Sequence, residues 1–267
     1  ALPRTSHWTA CALEDAGFEV RDVVTHIYGT GFPKSLDVSK ALDKAAGAER
    51  EVVGLHPLPA TPRAGTFNAS FGPATITAPA TEAARAWDGW GTALKPGSEH
   101  WILVRKPLDG TVAANCLKWG TGGLNIDACR LETAERLGRY VVQRERAYID
   151  NSTGKGRWPA NVAFSDEAAE GLNQQSDGAS RFFYCPKAPK RERSEGLAEG
   201  EQNRHPTVKA QALMEWLCRL VTPPEGLVLD PFAGSGSTGV AALRQGFRFV
   251  GIEREQEYAE VARARLD

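Results

Sequence analysis

The chain has 267 residues, 42% of them hydrophobic, enough to bury a substantial core as one large domain or one domain with an insert. No run reaches the length of a membrane span and no charged-then-apolar leader opens the sequence, so a soluble, unexported, cytoplasmic protein is expected. A net charge of −1 excludes a general attraction to polyanions, and five cysteines with no Cys-x-x-Cys pair argue against a metal site or a disulfide framework.

Thr5 to Ala16 reads as a helix capped by Thr5 or Ser6, with Trp8, Cys11 and Ala12 near helical spacing. Phe18 to Ile27 alternates apolar and polar residues and then turns apolar, which predicts a strand. A turn over Gly29–Ser35 leads to a helix over Leu36–Ala46, with Leu36, Val38 or Ser39, and Leu42 on its inner face. Residues 47–80, rich in Pro, Ala, Thr and Gly, read as a loop-rich excursion. Thr81 to Trp90 is predicted helical, and Trp87 and Trp90 share a face suited to core packing rather than to stacking on a base. His100 to Arg105 is a further strand, closed by Lys106-Pro107.

From there to about Gln202 glycines and prolines break the pattern. Within this interval Arg181, Lys187, Lys190, Arg191 and Arg193 face a single acid, Glu192, and adjoin Phe182, Phe183 and Tyr184. Cations contact phosphates and aromatic rings stack on bases, so the mixture suits a local DNA surface, although a solvated basic loop explains the charge equally well. Ala212 to Leu220 is an amphipathic helix. Leu227-Val228-Leu229 then reads as a buried strand ending at Asp230, followed by a glycine-rich turn. A helix over Ser237–Gln245 follows, with Val240, Ala241 and Leu243 inward, and an apolar run from Phe247 to Ile252 ends on Glu253.

Strand, glycine turn, helix, strand and acid make half of a nucleotide-binding α/β sheet, with Glu253 placed to accept hydrogen bonds from ribose hydroxyls. Gly234-x-Gly236-x-x-Gly239 also satisfies the dinucleotide fingerprint. Asp230 sits before those glycines, however, where a carboxylate repels a pyrophosphate and welcomes an ammonium, and with the unit at the C-terminal end of the sequence no second half-sheet to hold a nicotinamide is expected. The ligand so described is a nucleoside with a cationic amino-acid tail, and S-adenosylmethionine fits.

Asp230-Pro-Phe-Ala-Gly-Ser-Gly-Ser-Thr-Gly resembles the cofactor motif of the DNA methyltransferases that modify adenine N6 or cytosine N4. His205-Pro-Thr-Val-Lys209 is similar to the motif that precedes it in the permuted group whose cofactor region comes last. Further matches are Pro3-Arg-Thr-Ser-His7 with Ala16-Gly17-Phe18, Gly29-Thr-Gly-Phe-Pro-Lys-Ser35, Gly122-Gly-Leu-Asn-Ile-Asp127, Gly156-Arg-Trp-Pro-Ala-Asn161 and Arg181-Phe-Phe-Tyr-Cys185, in the manner of phage and bacterial modification enzymes. The resemblance implies an α/β, Rossmann-like S-adenosylmethionine-dependent methyltransferase sheet with an inserted target-recognition region. Residues 1–106 would form the catalytic half, 107–202 the recognition region and 203–267 the cofactor half. Asp230 would take the methionine ammonium, Glu253 the ribose, and Pro231, Phe232, Gly234, Ser235 and Gly236 would wall the cofactor. His205, Thr207 and Lys209 would close over the methionine carboxylate. The implied activity is site-specific methylation of double-stranded DNA, on adenine N6 ahead of cytosine N4, with a homodimer and a cognate restriction nuclease as further partners. An RNA methyltransferase shares the same cofactor site.

Members of this family carry a tetrapeptide of the type (Asp, Asn or Ser)-Pro-Pro-aromatic, which holds the target amino group and stacks on the flipped base. The sole Pro-Pro pair here, in Thr222-Pro-Pro-Glu225, has neither the acceptor nor the ring and reads as a loop. In the permuted order the tetrapeptide would lie just upstream of Pro3, so an N-terminal piece carrying it is expected before Ala1; a non-catalytic remnant is the alternative. Its strand would lie between those at 227–229 and 18–27, leaving both facing a gap and the fragment marginally stable. Ala210 stands where the family usually places a second proline.

Overall fold

The computed structural model describes residues 1–29, 31, 33–55, 75–133, 140–141, 148–149, 156–186 and 209–266. In chain order the elements are α1 (Ser6–Asp15), β1 (Glu19–Ile27), α2 (Val38–Ala45), β2 (Val52–Leu55), β3 (Thr75–Thr77), α3 (Glu82–Ala86) and β4 (Ser98–Arg105). Then come α4 (Val112–Trp119), β5 (Tyr140–Val141), β6 (Tyr148–Ile149), β7 (Val162–Phe164) and α5 (Asp166–Gln175). The chain closes with α6 (Gln211–Val221), β8 (Leu227–Asp230), α7 (Ser237–Arg244), β9 (Arg248–Gly251) and α8 (Gln256–Leu266). Four helix starts are chemically marked. The side chains of Asp37, Thr81, Thr111 and Ser165 each accept the N–H three residues on, closing the first turns of α2, α3, α4 and α5.

Two units divide the chain, residues 31–96 and the remainder. In the larger one, β1 is central to a three-stranded sheet, antiparallel to β4 and parallel to β7. The second edge of β1 is therefore taken at Thr25–Ile27, which corrects the expectation of a gap for that end of the 18–27 strand, whereas Glu19–Val24 have β4 as their one strand partner among the described residues. The Asn161–Ser165 segment holds the second edge: Thr25 N–H donates to the Asn161 carbonyl (2.9 Å) and Ser165 N–H to that of Ile27 (2.8 Å). β8 and β9 pair in parallel, Asp230 opposite Gly251, and β8 has no other strand neighbour among the described residues.

Helix α6 packs these parts together. Met214 and Cys218 meet Ala241, Ala242 and Phe247 of the α7 region, while Trp216 and Leu220 meet Val24 of β1 and Cys129. Burial on both flanks explains why Leu213, Met214, Trp216, Cys218 and Leu220 all lie inside. β8–turn–α7–β9 is a Rossmann-like unit, as the sequence indicates, but its burial differs. Leu227 and Leu229 are 54% and 58% exposed and only Val228 turns to the core, so β8 is buried on one face. Ala241 and Ala242, rather than Leu243, are the buried pair of α7. On α1, Trp8, Cys11 and Ala12 face outward, and Ser6, Ala10 and Leu13 are the half-buried positions.

In the smaller unit the buried residues of α2 are Ser39 and Asp43, whereas Leu36 is exposed. Asp43 accepts from Ala80 N–H (3.0 Å), Thr81 N–H (2.9 Å), the Thr81 hydroxyl (2.7 Å) and Arg50 Nη1 (2.7 Å). Burial pushes its carboxyl up, but these hydrogen bonds and the guanidinium outweigh burial and hold it at about 2. β2 and β3 pair antiparallel inside the interval read as loop. Trp87 and Trp90 meet edge to face at 4.9 Å, yet both are exposed, which corrects their assignment to the core. Among the described residues no helix is long and apolar enough to cross a membrane.

Candidate functional site

The parallel pairing of β8 with β9 brings Asp230 and Glu253 to neighbouring strand ends. Ile252 N–H donates to the Asp230 carbonyl (2.8 Å) and Ala233 N–H to that of Ile252 (2.9 Å), so the two chain segments continue to bond past the strands. Each carboxylate is oriented by its own turn. Asp230 Oδ1 accepts from Phe232 N–H (3.0 Å) and Oδ2 from the Thr238 hydroxyl (2.6 Å). Glu253 Oε2 accepts from Gly234 N–H (2.7 Å) and Oε1 from Glu255 N–H (2.9 Å). Each Asp230 oxygen, accepting one of these bonds, has a second lone pair with which to meet a ligand donor.

Between the acids, Pro231 and Phe232 are exposed, the Phe232 ring at 86%, while Gly234, Ser235 and Gly236 are buried. An unsupported aromatic ring beside two fixed carboxylates offers a flat apolar wall and two hydrogen-bond acceptors. Gly236 starts α7 at φ +77°, the left-handed region, and a Cβ there would lie 3.1 Å from that of Ala262. Ser235, expected in the cofactor wall, turns its hydroxyl toward Arg265 (3.3 Å).

Lys209 lies at the start of α6, its ammonium on the Glu99 carboxylate of β4 and 5.6 Å from the centre of the Trp101 ring. His26 is the ladder partner of Glu99. Burial lowers the His26 pKa, with Lys209 acting in the same direction and Glu99 against it. His205 and Thr207, and Lys187, Lys190, Arg191 and Arg193, lie outside the described residues. Arg181 is exposed and its guanidinium covers the Phe182 ring at 4.6 Å. Of the neighbouring rings, Phe183 packs on Phe164, and Tyr184 stacks on Trp216 and donates to the Ala212 carbonyl (3.0 Å), so Phe182 alone remains exposed.

Thr222 to Gly226 forms the tight turn between α6 and β8, with Gly226 N–H on the Pro223 carbonyl (3.0 Å), as its reading as a loop anticipates. A cavity of about 860 Å3 is lined by Phe18, Arg21, Arg105, Lys106, Trp119 and Val221, among others. It sits at the far end of α6. Gln211, on the first turn, donates to the Ser237 carbonyl beside the glycine turn, whereas Val221 ends the helix roughly 15 Å away. The cavity is therefore separate from the Asp230–Glu253 site despite its size.

The sequence reading misses Thr238, Glu99 and the whole of α8 with Ala262 and Arg265. A signal for α8 is present in Tyr258, Ala262 and Arg265, spaced for one helical face.

The chain matches the profile of the N6_N4_Mtase family, described as DNA methylase, over residues 130–264, just over half its length. It is similar to the type II methyltransferase M2.DpnII of Streptococcus pneumoniae, 48% identical over 64 residues, which is 24% of each chain. It is 44% identical to the type II methyltransferase M2.LlaDCHI of Lactococcus lactis subsp. cremoris, again over 64 residues and 24% of each. The chain thus spans about a quarter of the length of these curated relatives. Among solved structures it is similar to the M1.HpyAVI–SAM complex at 19% identity and a TM-score of 0.41, covering 100% of this chain and 72% of that one.

Proposed function

Because the chain belongs to the N6_N4_Mtase family of DNA methylases, we propose that it serves transfer of a methyl group from S-adenosylmethionine to an exocyclic amino group of DNA, adenine N6 ahead of cytosine N4. The observation that carries this reading is the pair of pre-oriented carboxylates, Asp230 and Glu253, flanking the exposed Phe232 ring at the ends of adjacent parallel strands. The donor set of the ligand complements it. An ammonium seeks a carboxylate such as Asp230, ribose hydroxyls donate to Glu253, and Phe232 covers an apolar face. When bound, the cofactor supplies an electrophilic methyl group on a sulfonium sulfur. The chain's own residues bind and aim it, because an amino nitrogen whose lone pair is delocalised into the base needs accurate alignment.

The resemblance assigns Lys209, with His205 and Thr207 just before it in sequence, to closing over the methionine carboxylate. Residues 107–202 are proposed as the target-recognition region, with Arg181 and the Lys187–Arg193 cations on the phosphates of duplex DNA. The resemblance also suggests a modification role beside a cognate nuclease, and a homodimer. The test is incubation of the complete protein with methyl-labelled S-adenosylmethionine and duplex DNA, followed by nucleoside analysis. Label in N6-methyladenine is expected. Label in N4-methylcytosine would reassign the base, label in RNA alone would reassign the substrate, and no transfer to any duplex would count against the enzyme.

A further inference from the structure

The glycine turn that follows Asp230 is closed by Phe232 N–H on Asp230 and by Gly236 N–H on the Ala233 carbonyl (2.9 Å), but its glycine backbones have many accessible conformations and need further support. α8 supplies the constraint. Arg265 is 8% exposed, and its Nη1 donates to the Ser235 carbonyl (2.6 Å), with the Ser235 and Ser237 hydroxyls at 3.3 and 3.4 Å. One turn earlier, Ala262 closes on Gly236, where an added Cβ would approach it to 3.1 Å. One residue later, Leu266 closes on Gly239, where a Cβ would come within 2.7 Å of its Cδ2. From the other side Glu253 holds Gly234 N–H. The turn is thus gripped between the end of β9 and one face of α8.

We propose that Arg265 is a positioning residue for the cofactor, fixing the Ser235–Gly236 peptide and so the line of the turn that leaves Asp230 and Phe232 aimed at the ligand. The inference rests on the reading of this turn as the S-adenosylmethionine site. A charged donor is suited to the task, because a hydrogen bond from a cation to a buried carbonyl is stronger than a neutral one. It acts through the backbone, so Arg265 need not touch the ligand. Removing it leaves a carbonyl and two hydroxyls to rearrange, and the turn then samples shapes in which Asp230 and Glu253 no longer converge.

The experiment is calorimetric titration of S-adenosylmethionine into the full chain and into Arg265→Ala and Arg265→Lys, at a temperature where circular dichroism shows each fully folded. Duplex DNA binding is measured beside it. Arg265→Ala is expected to raise the cofactor Kd about tenfold or more, the size of one charge-assisted hydrogen bond, with DNA affinity unchanged. Arg265→Lys, with one nitrogen to reach the Ser235 carbonyl, is expected to fall between. Should Arg265→Ala fail to fold, Arg265→Lys decides alone: weaker binding supports the proposal. A Kd equal to that of the unsubstituted chain in the folded variants, even with a lower Tm, would overturn it and leave Arg265 a purely structural residue. No binding by the unsubstituted chain would instead remove the cofactor reading.

Discussion

Asp43 shows how much a single buried carboxylate can control. It is fully enclosed, yet four donors, the Arg50 guanidinium among them, hold it ionised, with its carboxyl at about 2 rather than the ordinary 3.8. A depressed folded pKa contributes stability that is complete above the unfolded value and is lost as pH falls through the folded one. Residues 31–96 are therefore expected to lose stability between about pH 4 and pH 2, and Asp43→Asn should remove most of that dependence while destabilising the unit at neutral pH. Thermal melts of both forms across that range check it, and parallel pH profiles would contradict it. Asp43 is not legible in the sequence, because an aspartate on a polar helix face has the same spacing whether it meets water or four donors. Asp230 and Glu253 are legible, since each closes an apolar run beside a glycine turn.

At the scale of elements, periodicity locates β1, β4, α6, β8, α7 and β9 within a residue or two, because each carries a run of apolar residues bounded by turn residues. It does not settle which faces are covered. Trp87, Trp90, Leu227 and Leu229 look like core in sequence and are exposed, because burial depends on what packs across from them. β2 and β3 are hidden in a Pro- and Gly-rich stretch, and α8 lies beyond the acid that completes the motif. The packing of α7 on β9 yields a sharp expectation. A Cβ at Gly239 would fall 2.5 Å from the Phe249 ring, so Gly239→Ala should cost about 1–3 kcal/mol through overpacking. Denaturant unfolding measures this, and an unchanged midpoint would show that the Phe249 ring yields freely.

Over the whole molecule a net charge of −1 gives no general attraction to DNA, so the proposed DNA binding depends on a local patch. Replacing Lys187, Lys190, Arg191 and Arg193 together by alanine is expected to flatten the salt dependence of DNA binding, by roughly 0.9 in the log–log slope for each phosphate no longer neutralised, with cofactor affinity intact. An unaltered slope would return the segment to a solvated loop. The claim on which the rest depends is that the β8–turn–α7–β9 unit holds S-adenosylmethionine through Asp230. Calorimetric titration of the cofactor into the full chain and into Asp230→Ala tests it most directly. Saturable binding is expected, weakened in the variant by about 1.5–3 kcal/mol through loss of a charge-assisted hydrogen bond. Equal affinities, or no saturable binding by the unsubstituted chain, would contradict it.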